Sequence, residues 1–345
     1  RVHTPSDENS GTHPSAEREF DLARQLVDEM KALGMEDAHV DEHCYVYGTL
    51  PATPGCEDQH ALGLIAHMDT ADDASGENVQ PVVWENYNGG DVTLPATGMV
   101  MKPSVFPFLS SMKGETLITS DGTTLLGADD KAGIAEILTA VETIQEKGLP
   151  HGKLCIAFTP DEEIGEGAEL FDIPGFGADF AYTVDGGDIT DYEYETFNAA
   201  KATVTIHGFS IHPGTAKDKM KNALLIAMEF NALLPALETP GHTEGYEGFF
   251  HLQEMHGTVE KADMIYIVRD HSMERFQERK ALFRKAAEEM NHRYGDGTVE
   301  AEVEDQYYNM YEVLKDRMEI VALAEEAMRA AGVDNPTHSP IRGGT

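Results

Sequence analysis

Residues 124–148 read TLLGADDKAGIAEILTAVETIQEKG, and the pattern changes halfway along. The opening apolar residues read as the end of a strand. Ile134, Ile137, Leu138, Val141 and Ile144 then recur at the 3.6-residue period of a helix, which Gly148 stops. The turn between the two is Asp129-Asp130. Three other stretches share the form of an apolar run that ends on acids or a histidine: LIAHMDTADD at 64–73, LCIAFTPDEE at 154–163 and FAYTVDGG at 180–187. Strands alternating with helices predict an α/β domain with a mainly parallel sheet and helices on both faces. Upstream, Ser15 is the expected N-cap of a helix whose apolar face is Phe20, Leu22, Ala23, Leu26, Val27, Met30 and Leu33, closed by Gly34. A strand is expected through Cys44–Tyr47.

Past about residue 197 the order becomes β-α-β-β-α-β. Strands are expected at Lys201–His207, Phe249–Met255, Asp263–Val268 and around Val299–Val303, with helices at Met220–Leu234 and Ser272–Tyr294. That order is ferredoxin-like, and Met318–Ala331 then returns to the first kind of helix. We therefore expect a catalytic α/β domain in two parts, 1–197 and 309–345, with a small α+β domain inserted at 198–308.

The chain of 345 residues carries 62 Asp plus Glu against 25 Lys plus Arg, a net charge of −37. Such a surface repels nucleic acid and anionic membranes, and neither is an expected partner. Self-repulsion on this scale is relieved by salt, so a salt-adapted cytosol is the expected setting. No apolar run approaches the length of a membrane span. Three cysteines in no metal spacing point to a reducing, cytoplasmic location.

The chemistry lies in joint placement. Four possible metal ligands, His67, Asp129, Glu163 and Asp185, each follow or end an expected strand, and ligands of open α/β sheets bind at the carboxyl ends of strands. Each alone has an ordinary reading as a polar loop, a helix-terminal charge or a turn. Together they aim one imidazole and three carboxylates at one crevice, a donor set suited to zinc, manganese or cobalt. Asp69, two residues from His67, is placed to orient its imidazole. Adjacent acids at 162 and 163 divide naturally, Glu163 to a metal and Glu162 to the proton of the attacking water. Hydrolysis of an amide bond is the reaction this set fits.

HMDT at 67–70, TTLLGADDKAG at 123–133, AFTPDEEIGEG at 157–167, YTVDGGD at 182–188, FSIHPGTAK at 209–217 and PIRGGT at 340–345 resemble the peptidase T branch of the M20 metallopeptidases, over essentially the whole chain and in order. The resemblance implies a zinc-peptidase-like domain with an inserted lid that in many members is a dimerisation surface, making a homodimer a possible assembly. It implies two zinc ions per subunit, with Mn2+ or Co2+ as alternatives. His67 and Asp185 would hold one ion, Asp129 would bridge and Glu163 would hold the other. Glu162 would be the general base and Asp69 the catalytic aspartate, with a non-proline cis peptide beside Asp129. The implied activity is release of the N-terminal residue from tripeptides. The alternative is another M20 amidohydrolase: a dipeptidase, a carboxypeptidase or an N-acyl amino acid deacylase. His212, Arg269 and Arg342 match positions that would contact the peptide, the arginines through its carboxylate. The family's last ligand, a histidine, would fall beyond the RGGT loop, so the 345 residues are expected to be part of a longer product.

Overall fold

Helix α1 (Glu19–Ala32) is amphipathic, and Leu22, Ala23, Leu26, Val27 and Met30 are buried on one side of it in the computed structural model, which describes residues 2–344. The chain divides into two units between Asp185 and Gly186. The first is built on strands β1 (Glu36–Val40), β2 (Val46–Leu50) and β3 (Leu62–His67), helix α2 (Ala128–Lys147), and strands β4 (Leu154–Thr159) and β5 (Phe180–Thr183). They form one sheet in the order β1-β2-β4-β3-β5. Helices α1 and α2 cover one face, meeting Val46, Ala66, Ile156 and Phe158. The other face buries Tyr45, Tyr47, Cys155 and Ala157 against Phe176, on a one-turn helix at Ile173–Phe176. Each fully buried large apolar side chain contributes roughly 1.5–3 kcal/mol, so the two-sided core is what holds the strand ends in register.

The α/β class is as expected, but the sheet is mixed. β3 runs parallel to both β4 and β5, whereas β1–β2 and β2–β4 pair antiparallel. The turn at Asp41–Tyr45 is too short for the crossover a parallel pair needs. Two local expectations also change. Thr124–Leu126 is a loop, in which the Leu125 N–H donates to the Ser75 carbonyl at 2.9 Å. So short an apolar run cannot fill a two-faced strand. The strand in this region is instead Leu117–Ser120, paired with Pro81–Trp84 outside the main sheet. Nor does Ser15 cap α1. The helix begins at Glu19, whose Oε1 reaches back to the Ala16 N–H at 3.2 Å, the i, i+3 back-bond of a capping box.

The second unit carries β6 (Asn198–His207), α3 (Ala223–Ala232), β7 (Phe249–Gly257), β8 (Lys261–Asp270), α4 (Met273–Tyr294) and β9 (Val299–Tyr307). All pairings of the sheet β7-β8-β6-β9 are antiparallel, the ferredoxin-like arrangement. Ala202, Val204 and Ile206 face the two helices and are buried against Ile226, Phe230, Phe276 and Phe283. Asn222 caps α3 and Ser272 caps α4 through their side-chain oxygens. After β9 the chain forms α5 (Glu319–Ala330), and Thr337–His338 pairs in parallel with Asp191–Tyr192.

Candidate metal centre

The parallel register of the first unit brings three strand ends together. His67, the last residue of β3, lies opposite Thr159, the last residue of β4, while Ile65 lies opposite Thr183 of β5. The Val184 N–H continues the ladder to the Ile65 carbonyl at 2.7 Å. The side chains of Glu162 and Asp185, which follow these strands, therefore emerge beside His67, while Glu163 lies outside the group of donors gathered around it. Asp129 arrives differently from the expectation of a strand tip, because it lies in the first turn of α2. Gly127 adopts the left-handed conformation before it, and the Asp129-Asp130 peptide is cis.

The two aspartates divide their work. Asp130 is buried and its carboxylate accepts the His67 N–H at 3.2 Å and the Gly133 N–H at 3.1 Å, tying β3 to α2. Asp129 faces the crevice, with its Oδ1 2.9 Å from His67 Nε2. Gly133 permits this approach, since a Cβ there would lie 2.0 Å from the Val184 carbonyl oxygen.

Around the imidazole the distances are short. Asp185 Oδ2 lies 3.8 Å from His67 Nε2, and Glu162 Oε2 lies 3.9 Å from it. On the far side His67 Nδ1 is 3.2 Å from Asp69 Oδ1 and 3.1 Å from the Asp69 carbonyl oxygen. Asp69 is fully buried, and its two carboxylate oxygens accept the N–H groups of Glu162 (3.0 Å) and Glu163 (3.1 Å). One aspartate thus orients the imidazole and fastens the backbone of the glutamate pair.

Ligand atoms of His67, Asp129 and Asp185 all lie within 4.8 Å of one another, as three donors to one cation do. The electrostatics fit a cation too. Burial disfavours the charged imidazole, yet the Asp69 hydrogen bond and the charges of Asp69, Asp185 and Glu162 outweigh it and hold the His67 pKa up at about 10. Burial raises the carboxyl of Glu163, and Asp129 beside it adds to the rise. Burial also raises those of Glu162 and Asp185. Acids this close need positive charge between them, which a bound dication would supply. Lys131, half-buried and lowered by burial to about 8, interacts with Asp69 and Glu163.

The remaining expected site residues lie in the second unit. His212 is exposed, and its Nδ1 accepts the Gly214 N–H at 3.1 Å, which leaves Nε2 open. Arg269 is half-buried on β8, donates to the Val268 carbonyl at 3.0 Å and Gln306 Oε1 at 3.2 Å, and lies over the Tyr307 ring. Arg342 donates to the carbonyls of Gly245 (2.7 Å) and Glu247 (2.9 Å) and to Thr243 Oγ1 (2.8 Å), with its guanidinium over Phe197 and Phe249. It binds the 243–247 loop. Asp130, Lys131, Asp161 and Glu19 escaped the sequence reading. For Asp130 the sequence shows only a second acid beside Asp129, and its inward turn depends on the approach of α2 to β3.

Comparisons with known proteins agree with this architecture. Residues 194–298 match the family model described as "Peptidase dimerisation domain". The chain is 53% identical to peptidase T of Halothermothrix orenii, covering 100% of this chain and 85% of that protein. It is 52% identical to peptidase T of Geobacillus kaustophilus, covering 100% and 84%. In fold it is similar to the crystal structure of aminopeptidase PepT from Bacillus cereus (TM-score 0.75, 24% identity, 100% of this chain and 82% of that one). It is also similar to Bacillus subtilis YXEP, described as a dinuclear metal binding peptidase from the M20 family (TM-score 0.61, 15% identity, 99% and 80%). About half of the aligned positions are identical to these relatives across alignments that cover the whole chain, and the chain belongs to the peptidase T family of M20 peptidases.

Proposed function

We propose that the chain is a dinuclear-metal aminopeptidase, zinc-dependent with Mn2+ or Co2+ as alternatives, that releases the N-terminal residue from tripeptides. The observation that carries this reading is the meeting of His67, Asp129 and Asp185, with Glu162 3.9 Å from the imidazole and Asp69 behind it. The relatives' printed name, peptidase T, supports the substrate class. In this reading His67 and Asp185 would hold one ion, Glu163 would hold the other and Asp129 would serve both. When bound, such ions acidify a water molecule and polarise a carbonyl. Glu162 is the base that takes the water's proton and passes it to the leaving amine. Burial keeps its carboxyl raised, which brings its proton affinity closer to that of the groups it serves. Asp69 holds His67 in one orientation and the 162–163 backbone in one place.

His212, Arg269 and Arg342 are the proposed peptide contacts, and recognition of both peptide termini would measure chain length. We assign 1–197 and 309–345 to the catalytic domain and 198–308 to an inserted lid through which a homodimer forms, in the cytoplasm. Among the described residues no helix is long and apolar enough to cross a membrane.

A panel of free di-, tri- and tetrapeptides with N-acetylated counterparts tests the reading. Free tripeptides are expected to turn over fastest. Preference for blocked peptides would replace it with an N-acyl amino acid deacylase, and preference for dipeptides or C-terminal release with a dipeptidase or carboxypeptidase. Glu162→Ala is expected to lower kcat by ~10²–10⁴, the usual contribution of a general base, with both metals retained. Survival of activity would remove Glu162 from its role.

A further inference from the structure

Behind the glutamate pair lies a second acidic contact that the hydrolytic reading does not use. Asp161 precedes Glu162 and adopts a left-handed conformation, φ 54°, which Asp tolerates better than most residues that carry a Cβ. Its carboxylate is fully buried and turned toward the N-terminal segment. Both of its oxygens accept the Ser15 N–H, at 2.8 and 3.0 Å, and His13 Nδ1 stands 3.3 Å from Oδ2. The Asp161 carbonyl accepts the Glu166 N–H at 3.0 Å. Glu19, the first residue of α1, is also fully buried. Its Oε1 takes the Ala16 N–H, while Oε2 meets no donor. The side chain within hydrogen-bonding reach of Glu19 is Asp161.

Two buried acids that face each other without a donor between them cannot both be ionised, and a proton on one of them completes the contact. Asp161 already receives the Ser15 N–H on both oxygens and faces His13, whereas Glu19 Oε2 meets no donor. Glu19 is the partner that keeps the proton. Burial, then the charges of Asp161 and Asp69, push its pKa up to about 9. The other charged or titratable groups facing Glu19 are Lys131 on α2 and the Cys44 thiol between β1 and β2.

We propose that Glu19 is a positioning residue whose neutral carboxyl donates to Asp161 and so holds the left-handed turn that presents Glu162. The loop is then gripped from two sides. Asp69 takes the N–H groups of Glu162 and Glu163, and the Glu19–Asp161 contact anchors the residue just before them to α1. A base displaced by about 1 Å loses much of its effect. This proposal rests on the reading of Glu162 as the base.

The test uses metal-loaded enzyme and a free tripeptide. Glu19→Gln keeps a donor toward Asp161 and an acceptor for Ala16, and is expected to retain kcat within about threefold. Glu19→Met fills similar space without a donor, and is expected to lose kcat at least tenfold while KM and metal content stay near wild type. Wild-type kcat in E19M, or equal loss in E19Q and E19M, overturns the proposal. Should E19M fail to fold, the pH profile decides. Wild-type kcat should fall as pH rises through about 9, where Glu19 ionises, and that limb should be missing in E19Q. A limb unchanged in E19Q overturns the proposal as well. Glu162→Gln is the control for the underlying reading: if it remains active, the base assignment fails. An inactive E162Q beside a fully active E19M removes only the role given to Glu19.

Discussion

A carboxyl held neutral inside a protein has a thermodynamic signature that does not depend on catalysis. Glu19 rises from 4.5 to about 9 on folding, chiefly through burial. Between those pH values the native chain keeps a proton that the unfolded chain has released. Because the unfolded state binds fewer protons there, stability must fall as pH rises; the contribution is fully present below about 4.5 and is lost on the way to 9. One proton corresponds to ~1.36 kcal/mol per pH unit, so raising pH from 6 to 8 should cost the wild type ~2.7 kcal/mol at this residue. Glu19→Gln cannot ionise and escapes that loss. Relative to wild type it should gain ~2.7 kcal/mol over the same two pH units, whatever its stability at pH 6. Urea unfolding followed by tryptophan fluorescence reports the correct half of the molecule, since the single tryptophan, Trp84, lies in the same unit as Glu19. Both proteins should be compared at equal metal content and fixed high KCl, so that metal linkage and screening cancel in the difference. Parallel stability curves for wild type and E19Q between pH 6 and 8 would refute the buried neutral acid.

Chelation is expected to abolish turnover, and Zn2+, Mn2+ or Co2+ should each restore it; His67→Ala should reduce bound metal, measured by elemental analysis, because it removes the nitrogen donor nearest both Asp129 and Asp185. Gly133→Ala should destabilise the first unit by ~1–3 kcal/mol, the usual penalty of overpacking, read again by Trp84 fluorescence. Its Cβ would fall 2.0 Å from the Val184 carbonyl and 2.5 Å from Asp130 Oδ1. With a net charge of −37, the melting temperature should rise between low and roughly molar KCl as repulsion is screened, and a flat profile in a thermal melt would separate the charge excess from salt adaptation.

Residues at the ends of regular strands could be placed from the sequence because a strand's period is two and its apolar run has a definite last residue. His67, Glu162, Glu163 and Asp185 follow such runs, and β3, β4 and β5 lie where those runs do. The ferredoxin-like unit was readable for the same reason: Ala202, Val204 and Ile206 alternate with polar neighbours along a long strand. Asp129 was expected at a strand end and lies instead in the first turn of α2, since a few apolar residues before a glycine resemble a strand end whether they form a ladder or a loop. The short, polar β1, EDAHV, gave no apolar alternation to detect.

The division of labour within each acidic doublet belongs to another level. Nothing local distinguishes Asp129 from Asp130. The difference arises because α2 approaches β3 closely enough at Gly133 for one carboxylate to bridge two backbone N–H groups and for the other to be left facing the imidazole. Asp161 and Glu162 obey the same logic, one turned inward to a buried acid on α1 and the other outward. In both doublets the buried acid accepts backbone N–H donation, two groups at Asp130 and one at Asp161, and among the described residues no such bond is made by the crevice-facing acid. Charge repulsion in the crevice is tolerable only while the buried partners keep the backbone from relaxing. A substitution at Asp130 or Asp161 should therefore disturb the site as surely as one at its neighbour, although neither side chain reaches into the crevice itself.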